Sequence, residues 1–169
     1  MASSSLASFK AQAEELGRTG FAERYPLGLL VRFPTHGVAS VEGSAEDETA
    51  VFSRATLEAQ GAQADWILAP LVKRPGNPFP TQLFVGRARQ SDICLEDASV
   101  TRVHAYFKLG DGVVAGLRDC GSGNGTFVNG VRLGPDELRP VRPGDSITFG
   151  VVQLQLVTAL VAHGFLSWA

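Results

Sequence analysis

Ser99, Thr101, Arg102 and His104 stand within six positions of one another, in the stretch DASVTRVHAYF over residues 97–107. A hydroxyl pair, a guanidinium and an imidazole this close suit three kinds of chemistry. With Asp97 they suggest a hydrolytic triad; as donors they suggest a receptor for an anion; or they form a polar loop entering a strand. A triad needs groups converging from separated segments and an oxyanion hole, whereas these residues crowd one loop. The triad is therefore the poorest of the three readings.

Two further polar stretches share the donor character. Gly86–Arg87 follows the apolar run QLFV, and GSGNGT occupies residues 121–126. Arg87 and Arg102 each offer a planar fork matched to carboxylate or phosphate oxygens. Thr101 adds a hydroxyl and Asn124 an amide. Gly121, Gly123 and Gly125 bare backbone N–H groups and permit close approach. Only His104 is a strong base, so the set reads as a receptor for an anion with several acceptor oxygens, which a phosphorylated side chain fits best. Each residue also has a plainer reading. Arg87 suits a surface ion pair, Thr101 a hydroxyl closing its own loop, Arg102 a solvated strand entry, and Asn124 a left-handed turn. His104, flanked by Val103 and Ala105 as inward residues, is expected on the opposite face, bracing the loop by a hydrogen bond. Glu96, Asp97, Asp136 and Glu137 read as solvated turn residues.

The elements that must hold these loops are β-strands. Val103, Ala105, Phe107 and Leu109 alternate, and so do Val113, Ala115 and Leu117, which predicts one buried face for each strand. Asp111–Gly112 and Asn129–Gly130 predict hairpin turns, because both positions of each pair tolerate positive φ. Trp66–Val72 reads as a β-rich run in which Pro70 suggests an edge or a bulge. Pro143–Gly144 predicts a turn before Ile147 and Phe149, and VVQLQLV closes the series. Many short strands with Gly-rich turns indicate an all-β antiparallel sandwich or barrel.

The first 63 residues read differently. Ser3–Ser5 offer caps for a helix whose stripe is Leu6, Phe9, Ala13 and Leu16, ending at Gly17. A short apolar stretch covers 27–33, residues 37–49 suit a linker, and 51–60 suit a second short helix. The expected organisation is a mainly helical N-terminal extension over 1–63, a β domain over 64–158, and a tail over 159–169 with a helical turn packed through Phe165, Leu166 or Trp168.

Composition narrows the function. The 169 residues are 44% hydrophobic, enough for a core without metal or disulfide. A net charge of −2 lacks the basic excess of a nucleic-acid binder. Cys94 and Cys120 have no paired spacing and read as reduced, partly buried thiols of a cytosolic protein. His36, His104 and His163 are scattered, so no metal site is expected. GSGNGT lacks the Lys of a phosphate-binding loop for nucleotides. No signal peptide or membrane span is legible. The Arg, Ala and Gly usage points to a GC-rich bacterial genome.

The order of motifs resembles the forkhead-associated (FHA) family over roughly residues 64–158. It runs Gly86–Arg87, then Thr101–Arg102–Val103–His104–Ala105, then Asn124 through Gly130, then Gly144–Asp145. The resemblance implies an FHA-like antiparallel β-sandwich that binds phosphothreonine peptides, without catalysis or cofactor. It implies that Arg87, Thr101 and Arg102 contact the phosphate and that Asn124 bonds the peptide backbone. Gly86, His104, Gly125 and Asn129 would support the loops. Thr101 replaces the family's usual Ser, and Gly123 stands where Thr or Ser is common. The implied partner is a phosphothreonine protein, the substrate of a Ser/Thr kinase, with no nucleic acid and no membrane. Thr19, Thr35, Thr49 and Thr56 add the idea of self-association through a phosphorylated N-terminal extension. The alternative keeps the fold as a phospho-independent interaction or scaffold domain.

Overall fold

The computed structural model describes residues 6–32 and 67–168. The Ser3–Ser5 caps, the 37–49 linker, the helix expected over 51–60, and Thr35, Thr49 and Thr56 lie outside the described residues.

Among the described residues, ten strands form two sheets. The first has six strands in the order β2 (Ile67–Pro70), β1 (Leu29–Arg32), β10 (Val152–Val157), β9 (Ser146–Phe149), β7 (Thr126–Val128), β8 (Val131–Arg132). The second has four, in the order β4 (Ile93–Cys94), β3 (Gln82–Gly86), β5 (Ala105–Gly110), β6 (Val113–Asp119). Inward side chains of both sheets join one hydrophobic cluster. Leu83, Val85, Ala105, Phe107 and Leu117 from the smaller sheet meet Leu30, Val128, Ile147, Phe149, Leu154 and Leu156 from the larger. Each fully buried side chain of this size contributes about 1.5–3 kcal/mol. That shared core fixes the two sheets against one another and makes the loops between them a rigid mount.

One pairing departs from the expected antiparallel pattern: β4 runs parallel to β3, with Val85 opposite Ile93. The residues between them fold back on themselves, because Arg87 and Ala88 donate their N–H groups to Thr101 and Arg102 carbonyls rather than extending a hairpin. The chain then returns in the direction it left.

The alternation expected in two strands also needs correction. Val103 precedes β5 and is 48% exposed, while Ala105 and Phe107 are buried as read. In β6, Val113 is 60% exposed and Leu117 is buried. The register slips between Lys108 and Leu109, so that Leu109 faces Val114 while Lys108 faces Gly116. Ala115 is the extra residue, and a bulge of this kind reverses which side chains point inward. Val114 packs on the core in place of its neighbours.

The turns follow the sequence. Asp111 and Gly112 take φ of 49° and 77°, and Asn129 and Gly130 take 51° and 78°. Pro70 ends the edge strand β2, where its missing N–H costs no ladder bond.

The N-terminal segment is not an appendage to the β structure. β1 lies between β2 and β10, with Leu30 opposite both Ala69 and Leu156. Leu29, Leu30 and Val31 are all buried, because the strand is covered on both faces. Leu30 enters the inter-sheet core, whereas Leu29 and Val31 join Leu68 and Val157 beneath two helices, α1 (Leu6–Arg24) and α2 (Ala159–Trp168). α1 bends at Gly17, whose φ of 63° and ψ of −179° are non-helical. The bend redirects the stripe: Phe9 and Ala13 are followed by Phe21 and Tyr25 in the core, and Leu16 is 40% exposed. The tail forms a full helix packed through Ala159, Ala162 and Leu166.

Candidate functional site

Four connections lie at one end of the sheets. They are residues 87–92 after β3, 95–104 before β5, 120–125 after β6, and the β9–β10 turn at 150–151. Hydrogen bonds tie each to the next. Arg87 N–H donates to the Thr101 carbonyl at 2.9 Å and Ala88 N–H to that of Arg102 at 3.1 Å. Gly86 permits this approach, since a Cβ there would sit 2.3 Å from the Arg102 carbonyl oxygen.

His104 is the brace beneath them. It is fully buried. Its Nδ1 accepts the Thr101 N–H at 3.0 Å, which leaves the proton on Nε2, and Nε2 donates to the Gly125 carbonyl at 3.0 Å. Burial lowers its pKa, outweighing the opposing pull of the Gly125 carbonyl and Asp119. The ring is thus neutral and stands edge-on to Phe149. With both nitrogens committed to backbone groups, it has none left for a nucleophile. Ser99 and Asp97 bond one another at 2.7 Å, so the residues of the supposed triad do not form a relay.

Ser99 is the hub of the second loop, a role sequence reading did not assign it. Its N–H and hydroxyl both donate to Asp97, its Oγ accepts the Val151 N–H, and its carbonyl accepts the Asn124 amide at 2.7 Å. Hydrogen bonds from the Ser99 hydroxyl and N–H hold the Asp97 carboxyl below its usual range. The signal was legible as Asp-x-Ser, a side chain bonding the backbone two residues on.

Asp119 does the same for the third loop and was also missed. It accepts the N–H groups of Gly121 and Ser122 and the hydroxyls of Ser122 and Thr126. Burial alone would raise its pKa, but those hydrogen bonds together outweigh it and hold the carboxyl low. Ser122 in turn accepts the Gly125 N–H at 3.0 Å. The loop that presents Asn124 is therefore built around a buried-side carboxylate at its root.

On this frame Arg87, Thr101, Arg102 and Asn124 are all exposed. Arg87 Nε donates to the Val100 carbonyl at 3.2 Å, which aims the outer guanidinium away from the core. Thr101 Oγ1 accepts the Gly123 N–H at 3.2 Å, leaving its own hydroxyl hydrogen to donate. Arg102 makes no side-chain hydrogen bond or ion pair with a described residue. Asn124 uses one amide hydrogen on Ser99, and its side-chain oxygen accepts no hydrogen bond from a described residue. Gly125 is buried with φ of 87° and lends its carbonyl to both His104 and Gly150. Asn129 is not brought to this end. It sits at the far end of β7, where it bonds Asp145 and Ser146, so it braces the opposite turn.

Residues 83–150 match the FHA domain family model. This part of the chain is an FHA domain. The FHA segment is 39% identical over 69 residues to the oxoglutarate dehydrogenase inhibitor of Corynebacterium glutamicum, covering 41% of this chain and 46% of that protein. It is 34% identical over 79 residues to protein FraH of a Nostoc species, covering 47% of this chain and 25% of that protein. The chain spans less than half the length of either relative. Among solved structures, the FHA-2 domain of a Mycobacterium tuberculosis ABC transporter is 32% identical, with a TM-score of 0.41, covering 52% of this chain and 82% of that one. Mycobacterium tuberculosis EmbR, solved with a low-affinity phosphopeptide, is 26% identical with a TM-score of 0.41, covering 46% of this chain and 20% of that one. The FHA family works by recognising phosphopeptides in signalling. Among the described residues, no helix is long and apolar enough to cross a membrane.

Proposed function

We propose that this FHA domain binds phosphothreonine in a partner protein, with Arg87, Thr101 and Arg102 on the phosphate and Asn124 on the peptide backbone. The observation that carries the reading is one of contrast. The backbones of these loops are held by hydrogen bonds through His104, Ser99 and Asp119, while the four side chains stand exposed. Such a surface is organised before its ligand arrives, which lowers the cost of binding. The Thr101 hydroxyl, held by Gly123, is oriented to donate to an anion in place of the family's serine. The methyl it adds is expected to weaken phosphate binding rather than abolish it.

On this reading the two sheets form the FHA β-sandwich, the domain recognises rather than catalyses, and the partner is a cytoplasmic substrate of a Ser/Thr kinase in bacterial signalling. The oxoglutarate dehydrogenase inhibitors among its relatives support a regulatory protein–protein role. Fluorescence polarisation with a phosphothreonine peptide library tests it. Phosphorylated peptides should bind and their unphosphorylated forms should not. Equal binding of the two forms would favour the phospho-independent scaffold instead.

A further inference from the structure

A groove of about 500 Å³ lies between β2, an edge strand of the larger sheet, and β4, an edge strand of the smaller. Among the described residues, its cationic lining consists of Lys73, Arg74 and Arg89. Arg89 stands in the loop that carries Arg87, and the Arg74 guanidinium donates to the Arg89 carbonyl, which links the groove to that loop of the candidate site. Two acids among the described residues share the lining, Asp92 and Glu96. Asp92 is consumed internally: its oxygens accept the N–H groups of Arg74 and Phe84 and the Asn77 amide. Glu96 is exposed and makes no ion pair with a described residue. None of the three cations has a carboxylate partner among the described residues either, in contrast to the Arg118–Asp136 and Arg139–Glu137 pairs elsewhere.

We infer that this groove reads acidic residues on one flank of the bound phosphothreonine, so that the partner is an acidic phosphopeptide. The inference rests on the phosphothreonine reading above. An extended peptide advances about 3.3 Å per residue, so side chains within about five positions of the phosphothreonine reach along the groove. Lys73 and Arg89 supply the charge. Arg74 mainly holds the loop, through its backbone to Asp92 and its side chain to the Arg89 carbonyl. Glu96 opposes acids there and limits the preference.

The test uses the full chain and phosphothreonine peptides carrying two glutamates on either one flank or the other, against alanine-flanked peptides. Surface pairs of this kind give about three- to tenfold in affinity for two charges at low salt. One flank should show that gain, and Lys73→Ala/Arg89→Ala should bring the acidic-to-alanine affinity ratio close to one. Arg142→Ala, which removes an exposed cation at the opposite end of the sheets, should leave the ratio unchanged. Glu96→Gln should raise it. Equal affinity for acidic and alanine flanks, or a ratio that the Lys73/Arg89 double variant leaves intact, overturns the groove while the phosphothreonine reading stands. Failure of every phosphothreonine peptide to bind overturns both.

Discussion

The Nε2 of His104 lies 3.0 Å from the carbonyl of Gly125, a bond between residues 21 apart in sequence that joins two loops of the recognition end. The same ring receives the Thr101 N–H on its other nitrogen, so one neutral imidazole sets the spacing between Thr101 and the loop that carries Asn124.

That arrangement makes stability depend on pH. Burial depresses the His104 pKa in the folded state below its unfolded value of about 6.5. The unfolded chain therefore takes up the proton first, and stability falls as pH drops from about 6.5 toward the folded value. Protonation also places a hydrogen on Nδ1, where Thr101 already donates. Urea unfolding without peptide should show a lower midpoint at pH 5.5 than at pH 7.5, and His104→Gln should flatten that difference.

Arg87→Ala should leave the fold intact and reduce phosphothreonine peptide affinity by about ten- to a hundredfold, the range of a lost charge-assisted hydrogen bond. Polarisation measures the affinity and thermal unfolding the fold. A variant that binds normally removes Arg87 from the phosphate site.

Thr101 separates its two roles by paired substitution. Thr101→Ser keeps the hydroxyl that accepts from Gly123 and should bind as well as the wild type or better. Thr101→Ala leaves the Gly123 N–H without its acceptor and should lose affinity by about tenfold or more. Equal binding by all three proteins would show that the hydroxyl plays no part.

Asp119→Asn tests the frame rather than the contacts. The amide cannot accept four hydrogen bonds as a carboxylate does, so the loop over 121–126 should loosen at a cost of about 1–3 kcal/mol. Peptide affinity should fall with it, although Asp119 is not proposed to touch the ligand. Hydrogen exchange at Gly121 and Ser122 reports the loosening directly.

Gly86→Ala is expected to be more damaging than its size suggests. The added methyl would overlap the Arg102 carbonyl, so the Ala88–Arg102 bond must break or the strand must shift, at about 1–3 kcal/mol. Both the unfolding midpoint and peptide affinity should drop.

Much of this architecture was legible in the sequence because its signals are local. Asn129–Gly130 and Asp111–Gly112 announce their turns through backbone sterics alone, and Ile147 and Phe149 announce a buried face by spacing. His104 was read as a loop brace on the premise that Val103 points inward, whereas Val103 is exposed and His104 itself is buried between the loops it bonds. What escaped reading depends on contacts distant in sequence. The bulge at Ala115 inverts Val113 and Val114, and no residue type marks it. β4 runs parallel because the preceding loop bonds residues 101 and 102. Leu29–Val31 looked like part of a separate extension because a strand buried on both faces shows no alternation. Asp119 was not singled out, since its four donors come from residues 121–126, which it shapes. Asn129 was assigned to the recognition loops on motif order alone, and the length of β7 carries it to the opposite end.

The pairing of β1 with β10 bears on where this domain can be cut. A chain starting at residue 64 would lack the strand that separates β2 from β10. It would expose Leu156 and the row of N–H and C=O groups along β10, an open edge ready to pair with another copy. The shortest piece that keeps the recognition loops in their native frame must therefore include Leu29–Arg32, far upstream of the residues that do the recognising.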